Sequence, residues 1–325
     1  MKRVAFAIPG DLDTPTGGYA YDRRMIAELT RLGWHADVID IGSEFPRPSA
    51  SARAAALAEN HTLVALVHHP LALESGLSHA EAKALHESER GALGSTRHVI
   101  VTGAVTARLL ASDYGVAPER ITIALPGTDP VQPARRVSAQ DSRDGPPALL
   151  AVGALVPRKG YDVLIAALAP LAALPWRLTI AGDRTRDEAA SAQLDADIAS
   201  HGLADRIDVL GALPQDRLAS LYVGSDLFVL ASRFEGYGMA FAEALVHGLP
   251  VVGTTAGAVP DTVPPDAGVL VEPDDVKALT RTLRMLIENP KERQWFASGA
   301  LAAGAALPTW EESAKLLAGA IEALA

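Results

Sequence analysis

"DLFVLASRFEGYGMAFAEALVHGLPVVGTT", residues 226–255, decides the fold of this chain. Its first apolar run, "DLFVLA", is short and has the composition of a strand buried on both faces. "MAFAEALVHG" reads as a helix that closes at Gly248 before Pro250, and "PVVGTT" reads as a second buried strand. Strand, glycine-containing turn, helix and strand within about 30 residues make a parallel βαβ unit, with the turn at the carboxyl edge of the sheet. One residue disturbs that reading. Glu243 stands inside the otherwise apolar run 239–246, and a carboxylate withdrawn from water without a partner costs several kcal/mol.

Outward from this unit the same alternation fills the chain. Toward the C-terminus of the linker, "ALLAVGAL", "WRLTIAG", "RIDVLGAL", "DLFVLA", "PVVGTT" and "GVLVEP" form six expected strands with helices between them. The first half offers "RVAFAI", "ADVIDI", "TLVALV", "HVIVT" and "RITIAL", with helical stretches such as "GYAYDRRMIAELTRLG", where Met25, Leu29 and Leu32 keep helical spacing. The pattern breaks at "VQPARRVSAQDSRDGPP", residues 131–147, which is polar and rich in Pro, Ser and charge. The expected organisation is therefore α/β throughout. An N-terminal Rossmann-like domain covers 1–135, a linker 136–147, and a second Rossmann-like domain 148–306. A last amphipathic helix, 307–325, packs back toward the first domain. Two doubly wound domains make the cleft between them the default site.

The chain has 325 residues, a length that fits two domains of about 150 residues. Hydrophobic residues at 49% and charged ones at 21% suit a folded enzyme. With no cysteine, neither disulfides nor thiolate metal sites are available, and a reducing compartment is the simplest setting. The opening "MKRVAFAIPG" loses its apolar run at Pro9, too soon for a signal peptide, and no segment reaches the roughly 18 apolar residues of a membrane span. Net charge is −10. Residues 1–130 hold 12 basic and 15 acidic side chains and the rest 17 and 24, so neither half offers the basic footprint of a nucleic-acid binder.

Two turns are built to meet an anion. In "PGDLDTPTGGYAYDRR", Gly17 and Gly18 open a helix whose first N–H groups a ligand can approach, although a glycine pair at a helix start is also ordinary turn chemistry. In "SRFEGYG", the N–H groups of Gly238, Met239 and Ala240 can hold a phosphate. A carboxylate aimed at the same phosphate would repel it, so Glu235 and Glu243 are better placed against neutral hydroxyls on either side. A nucleoside diphosphate sugar supplies both features.

"EGYGMAFAE" resembles the Glu, seven residues, Glu signature of the retaining glycosyltransferases of family four, whose fold is the two-domain GT-B architecture. The resemblance runs over nearly the whole chain. "GGYAYDRRMIAEL" is similar to the family's N-terminal glycine loop and first helix, "VHHPLALE" to its histidine turn, and "RITIALPGTDP" to the end of its first domain. "VGALVPRKGYDVLIAAL" is similar to its basic phosphate turn, and "HGLPVVGTTAGAVPDTV" to the segment after the signature. It is the order and spacing of these loose patterns that is specific.

The resemblance implies roles. Glu243 would bond the donor's ribose hydroxyls and Glu235 the sugar hydroxyls. Gly236, Gly238, Met239 and Ala240 would form the turn that meets the distal phosphate, Gly17 or Gly18 would approach the diphosphate, and Leu213 would lie near the base. The family's histidine directly follows the strand and touches the transferred sugar, which favours His68 over His69. Lys159 would meet the phosphates. The capping and ion-pair roles open to any Glu, and the structural role open to any strand-end His, are the bland alternatives.

The implied chemistry is transfer of a hexose-type sugar to an acceptor hydroxyl with retention, the departing diphosphate itself taking the acceptor's proton. No cofactor or metal is expected: no His or carboxylate cluster has ligand spacing. The family's arginine after the strand-end glycine is replaced here by Ala154, beside Gly153, while "VPRKG" keeps Lys159 and adds Arg158. That departure keeps open a non-catalytic nucleotide-sugar-binding protein, and, at greater distance, another enzyme of the same fold such as a nucleotide-sugar epimerase. The acceptor (sugar, lipid-linked or small molecule) is not readable, and the expected location is cytoplasmic, including the inner membrane face. The stretch "SASARAAALAEN" carries too little positive charge to be read as an interfacial helix.

Overall fold

The computed structural model describes residues 2–14, 16–40, 61–74, 76–130 and 145–324. "SASARAAALAEN" and the polar break up to Asp144 lie outside these residues. The chain divides into two units: 1–129 together with 308–325, and 130–307.

In the first unit β1 (Lys2–Ile8) pairs in parallel with β2 (Trp34–Asp40). A second group, β3 (Val64–Val67), β4 (His98–Val101) and β5 (Ile121–Ile123), is also parallel. Among the described residues no ladder joins the two groups. Helix Gly17–Arg31 starts at Thr16, whose side chain accepts the Tyr19 N–H, the usual N-cap arrangement. It buries Tyr21, Met25 and Leu29 at helical spacing. The C-terminal helix Trp310–Glu322 packs on that helix, with a Thr309 and Glu312 capping box at its start. Tyr21 meets Trp310 edge-on, and a Cβ at Gly127 would fall 2.2 Å from the Trp310 nitrogen, so only glycine permits this approach.

The second unit is one six-stranded parallel sheet of β6 (Ala148–Val152), β7 (Arg177–Ala181), β8 (Ile207–Val209), β9 (Leu227–Val229), β10 (Val251–Thr254) and β11 (Gly268–Val271). Its spatial order is β11-β10-β9-β6-β7-β8. The chain thus builds outward from β6 in one direction, then returns to lay β9 on β6's other side. At that reversal the loops after β6 and β9 leave neighbouring strands at the same carboxyl edge of the sheet. The core beneath it includes Leu149, Leu150, Phe228, Val229, Phe241 and Val252.

Glu89, on helix His79–Gly94, is buried in the first unit, where it accepts the Leu71 N–H. Burial pushes its carboxyl up to about 7, against weaker opposing hydrogen bonds from Leu71 and Tyr114. A raised folded pKa means ionisation is disfavoured in the folded state, so stability falls as pH rises from the unfolded carboxylate value through about 7. Glu89→Gln should remove a pH-dependent cost of about 3 kcal/mol between pH 5 and 8, measured by urea unfolding at both pH values. Parallel pH profiles for the two proteins would refute it.

Candidate active site

The loop after β6 begins with Gly153 and Ala154 and makes a short 3-10 turn, Pro157–Lys159. Gly160 then takes a left-handed conformation, φ 64°, to enter helix Tyr161–Leu168. A Cβ there would strike the Ala231 carbonyl at 2.0 Å, so the turn after β6 lies directly against the end of β9. The two loops are joined by Arg233 N–H donating to the Arg158 carbonyl (2.8 Å) and Arg158 Nη1 donating to the Phe234 carbonyl (2.9 Å).

Between them lies Glu235, 5% exposed. Lys159 Nζ stands 2.7 Å from its Oε1, Ser232 Oγ donates to the same oxygen at 2.6 Å, and Arg158 Nη1 is 3.7 Å from Oε2. Burial pushes the Glu235 carboxyl up, but the charges of Lys159 and Arg158, with hydrogen bonds from Lys159 and Ser232, outweigh it and hold it below the ordinary value. Arg158 is therefore no solvated surface residue: its side chain is 16% exposed. Ala154, the half-buried residue in the arginine position, contributes no charge.

Gly238, φ 89°, starts helix Met239–Val246 and provides no side-chain cap, so the first N–H groups of that helix remain for a ligand. Within the helix, Phe241, Ala242, Ala244 and Leu245 are buried, and Met239, Ala240, Glu243 and Val246 are half-buried. Glu243 thus lies on the open helical face. The expectation of a wholly buried helix with a buried acid at its centre is corrected here: the run of apolar letters hides a 3.6-residue alternation, and the deeply buried carboxylate is Glu235. Glu243 has the Tyr222 hydroxyl beside it. Burial first, then the Glu243 charge and their hydrogen bond, hold that phenol well above its usual value. Tyr222 also stacks on His247 at 5.0 Å. Leu213 is half-buried, in the loop after β8 at the same sheet edge. Gly236 is buried beside Glu235.

In the first unit the structure brings Gly18 and His68 together. A Cβ at Gly18 would lie 3.0 Å from His68 Cδ2, so the open side of that glycine faces the imidazole. Gly17 is the first residue of the helix. His68 Nε2 is 3.2 Å from Asp22 Oδ1, whereas the adjacent His69 pairs with Glu74 at 2.6 Å. Asp22, Ser232 and Tyr222 are participants that the motifs did not bring forward. For Asp22 a signal existed: it shares the buried stripe of Tyr21, Met25 and Leu29, where a charge is out of place. Among the described residues no group of three or more His or carboxylate side chains could hold a metal, and no helix is long and apolar enough to cross a membrane.

Two parallel α/β units, one presenting a basic turn and a bare helix N-terminus at its strand-order reversal, are the architecture of the GT-B glycosyltransferases. Solved structures agree on the fold. Sucrose-phosphate synthase from Thermosynechococcus elongatus superposes with a TM-score of 0.85 at 19% identity, over 100% of this chain and 99% of that one. Anabaena HepE in complex with UDP and glucose gives 0.78 at 18%, over 99% of each. Residues 135–301 match the family Glycosyl transferases group 1, and residues 3–132 match Glycosyltransferase Family 4. The chain belongs to the group 1 glycosyl transferases. It is 33% identical over 221 residues to a D-inositol 3-phosphate glycosyltransferase of Streptosporangium roseum, covering 63% of this chain and 50% of that protein. It is 26% identical over 247 residues to an MMP alpha-(1->4)-mannosyltransferase of Mycolicibacterium hassiacum, covering 71% and 57%. The chain thus spans about half the length of these curated relatives.

Lys159→Ala should lower the stability of the second unit by about 3 kcal/mol, because a buried carboxylate loses its nearest cation. Glu235→Gln in the same chain should restore most of that loss. Calorimetric melts check both, and an equal loss in single and double variants would overturn the assignment. A lowered folded pKa also means that Glu235's contribution is full above the ordinary carboxylate range and lost as pH falls through the folded value.

Proposed function

We propose that the chain is a retaining hexosyltransferase that uses a nucleoside diphosphate sugar and no metal ion. One observation carries the reading: Lys159 and Arg158 converge on Glu235 at the β6/β9 reversal, in the loops that lead to the bare N-terminus of helix Met239–Val246. Two cations and a row of N–H donors suit a diphosphate. The solved complex of HepE with UDP-glucose supports this donor class, and the names of the curated relatives support sugar transfer.

In this reading the donor's distal phosphate rests on the N–H groups of Gly238, Met239 and Ala240, beside Gly236, and Lys159 and Arg158 share its charge. Glu243 accepts from the ribose hydroxyls, Glu235 from those of the sugar, and Leu213 flanks the base. Gly17 and Gly18 approach the diphosphate, and His68 meets the transferred sugar. The acceptor oxygen bonds to the anomeric carbon as the bond from that carbon to phosphate oxygen breaks. Its proton passes to the departing diphosphate on the same face of the sugar, and donors aimed at the charge gained there are worth about 3–4 kcal/mol in comparable sites. Arg158 stands in for the arginine that Ala154 replaces.

A thermal-shift panel of nucleoside diphosphates and their sugars tests the reading. A ligand at 100 times its Kd should stabilise by about 2.7 kcal/mol. Glu243→Gln should weaken nucleotide binding roughly 10- to 150-fold, since bonds to a charged group contribute about 1.5–3 kcal/mol. Sugar release from the donor should accompany binding. Binding without turnover would favour the non-catalytic alternative, and no response to any nucleotide would reject both.

A further inference from the structure

Asp22, on helix Gly17–Arg31, is 4% exposed and has no part in the donor chemistry proposed above. A buried carboxylate ordinarily has a guanidinium or ammonium beside it. Here the neighbouring arginines are engaged elsewhere, Arg23 with the Leu12 carbonyl and Arg24 with Asp129, and the partner of Asp22 is His68. A carboxylate offers only acceptors. The His68 nitrogen that faces it, Nε2 at 3.2 Å, must therefore carry a hydrogen, and in the neutral form of the ring the lone pair is on Nδ1. Among the described residues Nδ1 has no hydrogen-bond partner, and 28% of the side chain is exposed.

The ring is also held on its other sides. Tyr21 meets it edge-on, with centroids 5.4 Å apart, and is itself fixed by its hydroxyl donating to the Ala124 carbonyl at 3.0 Å. Gly18 lies against Cδ2, and the His68 carbonyl accepts from the hydroxyls of Thr102 and Thr106. So much restraint around one partly exposed imidazole exceeds what packing at a strand end requires.

We propose that Asp22 is a positioning residue: it fixes His68 as the Nε2–H tautomer and leaves Nδ1 to accept a hydrogen bond from a hydroxyl of the transferred sugar. This rests on the role given to His68 above. The logic is that of a base oriented by a third group, in which replacing the carboxylate by an amide keeps the shape but permits the wrong tautomer.

The test uses the full chain with nitrogen-15 histidine, comparing Asp22→Asn, His68→Ala and the double variant. Long-range proton–nitrogen spectra should show His68 as Nε2–H in the unaltered protein and a shift toward Nδ1–H in Asp22→Asn, whose amide can donate to Nε2. Turnover, read as nucleoside diphosphate released from the best-stabilising donor, should fall about 10- to 100-fold in Asp22→Asn. Donor KM should stay within roughly threefold, and the double variant should be no slower than His68→Ala. Melting temperatures should stay close to that of the unaltered protein. An Nδ1–H ring in the unaltered protein, or near-normal turnover in Asp22→Asn while His68→Ala is impaired, overturns the proposal and leaves the transferase reading standing. Unchanged turnover in His68→Ala removes His68 from the reaction and with it the catalytic half of the proposal.

Discussion

A carboxylate enclosed as Glu235 is can remain ionised only if positive charge is delivered to it, and the second unit is shaped by that delivery. Lys159 and Arg158 lie on a turn after β6 and Glu235 on a turn after β9, some 76 residues apart in sequence. They meet because the strand order reverses between β6 and β9. The backbone follows. Gly160 turns left-handed so that the basic turn can lie on Ala231, Arg233 ties its N–H to the Arg158 carbonyl, and Thr254 at the end of β10 bonds the Ser232 carbonyl. Interaction within such a cluster at low dielectric is strong but is offset by desolvation. Its structural effect is to hold two cations and one carboxylate together where the loops after β6 and β9 meet, more than to add net stability.

The first unit works by a different economy. Among the described residues no cluster of cations stands at His68; what the unit offers there is orientation. Tyr21, Asp22 and Gly18 come from one helix and reach the same imidazole, so a single element sets the ring's plane and its polar partner. A glycine pair at a helix start, on its own ambiguous between phosphate approach and turn chemistry, here gains a steric reason: a methyl group at Gly18 would press on the ring.

Much of this was legible in the letters. Among the described residues the eleven short apolar runs form eleven strands, and those covered on both faces, such as β9 and β10, are apolar or small at consecutive positions. Lys159, Glu235 and Gly238 fell at the sheet edge that the turn chemistry indicated. What failed was depth. In "MAFAEALV" every residue but one is apolar, so the sequence conceals which face is open, and only packing against Phe228 and helix Pro290–Ala305 distinguishes Phe241 from Met239. Partnership failed for a related reason. Whether Arg158 is a surface charge or a ligand of Glu235 depends on the approach of two loops distant in sequence, which no local spacing encodes. Asp22 was the exception, a charge on an apolar stripe that periodicity alone could have singled out.

The return of residues 308–324 to the first unit has a consequence for how the protein is made. Trp310, Ala314 and Leu317 belong to that unit's interior, yet they are translated after the whole of the other unit. The 130–307 unit can fold as a continuous piece while it emerges. The unit begun first must wait, its Tyr21–Met25–Leu29 stripe uncovered, for on the order of ten to forty seconds at ordinary elongation rates. A nascent chain of this design presents an unfinished domain to the cell's chaperones while residues 130–307 are made, and the first unit closes only once Trp310, Ala314 and Leu317 have emerged.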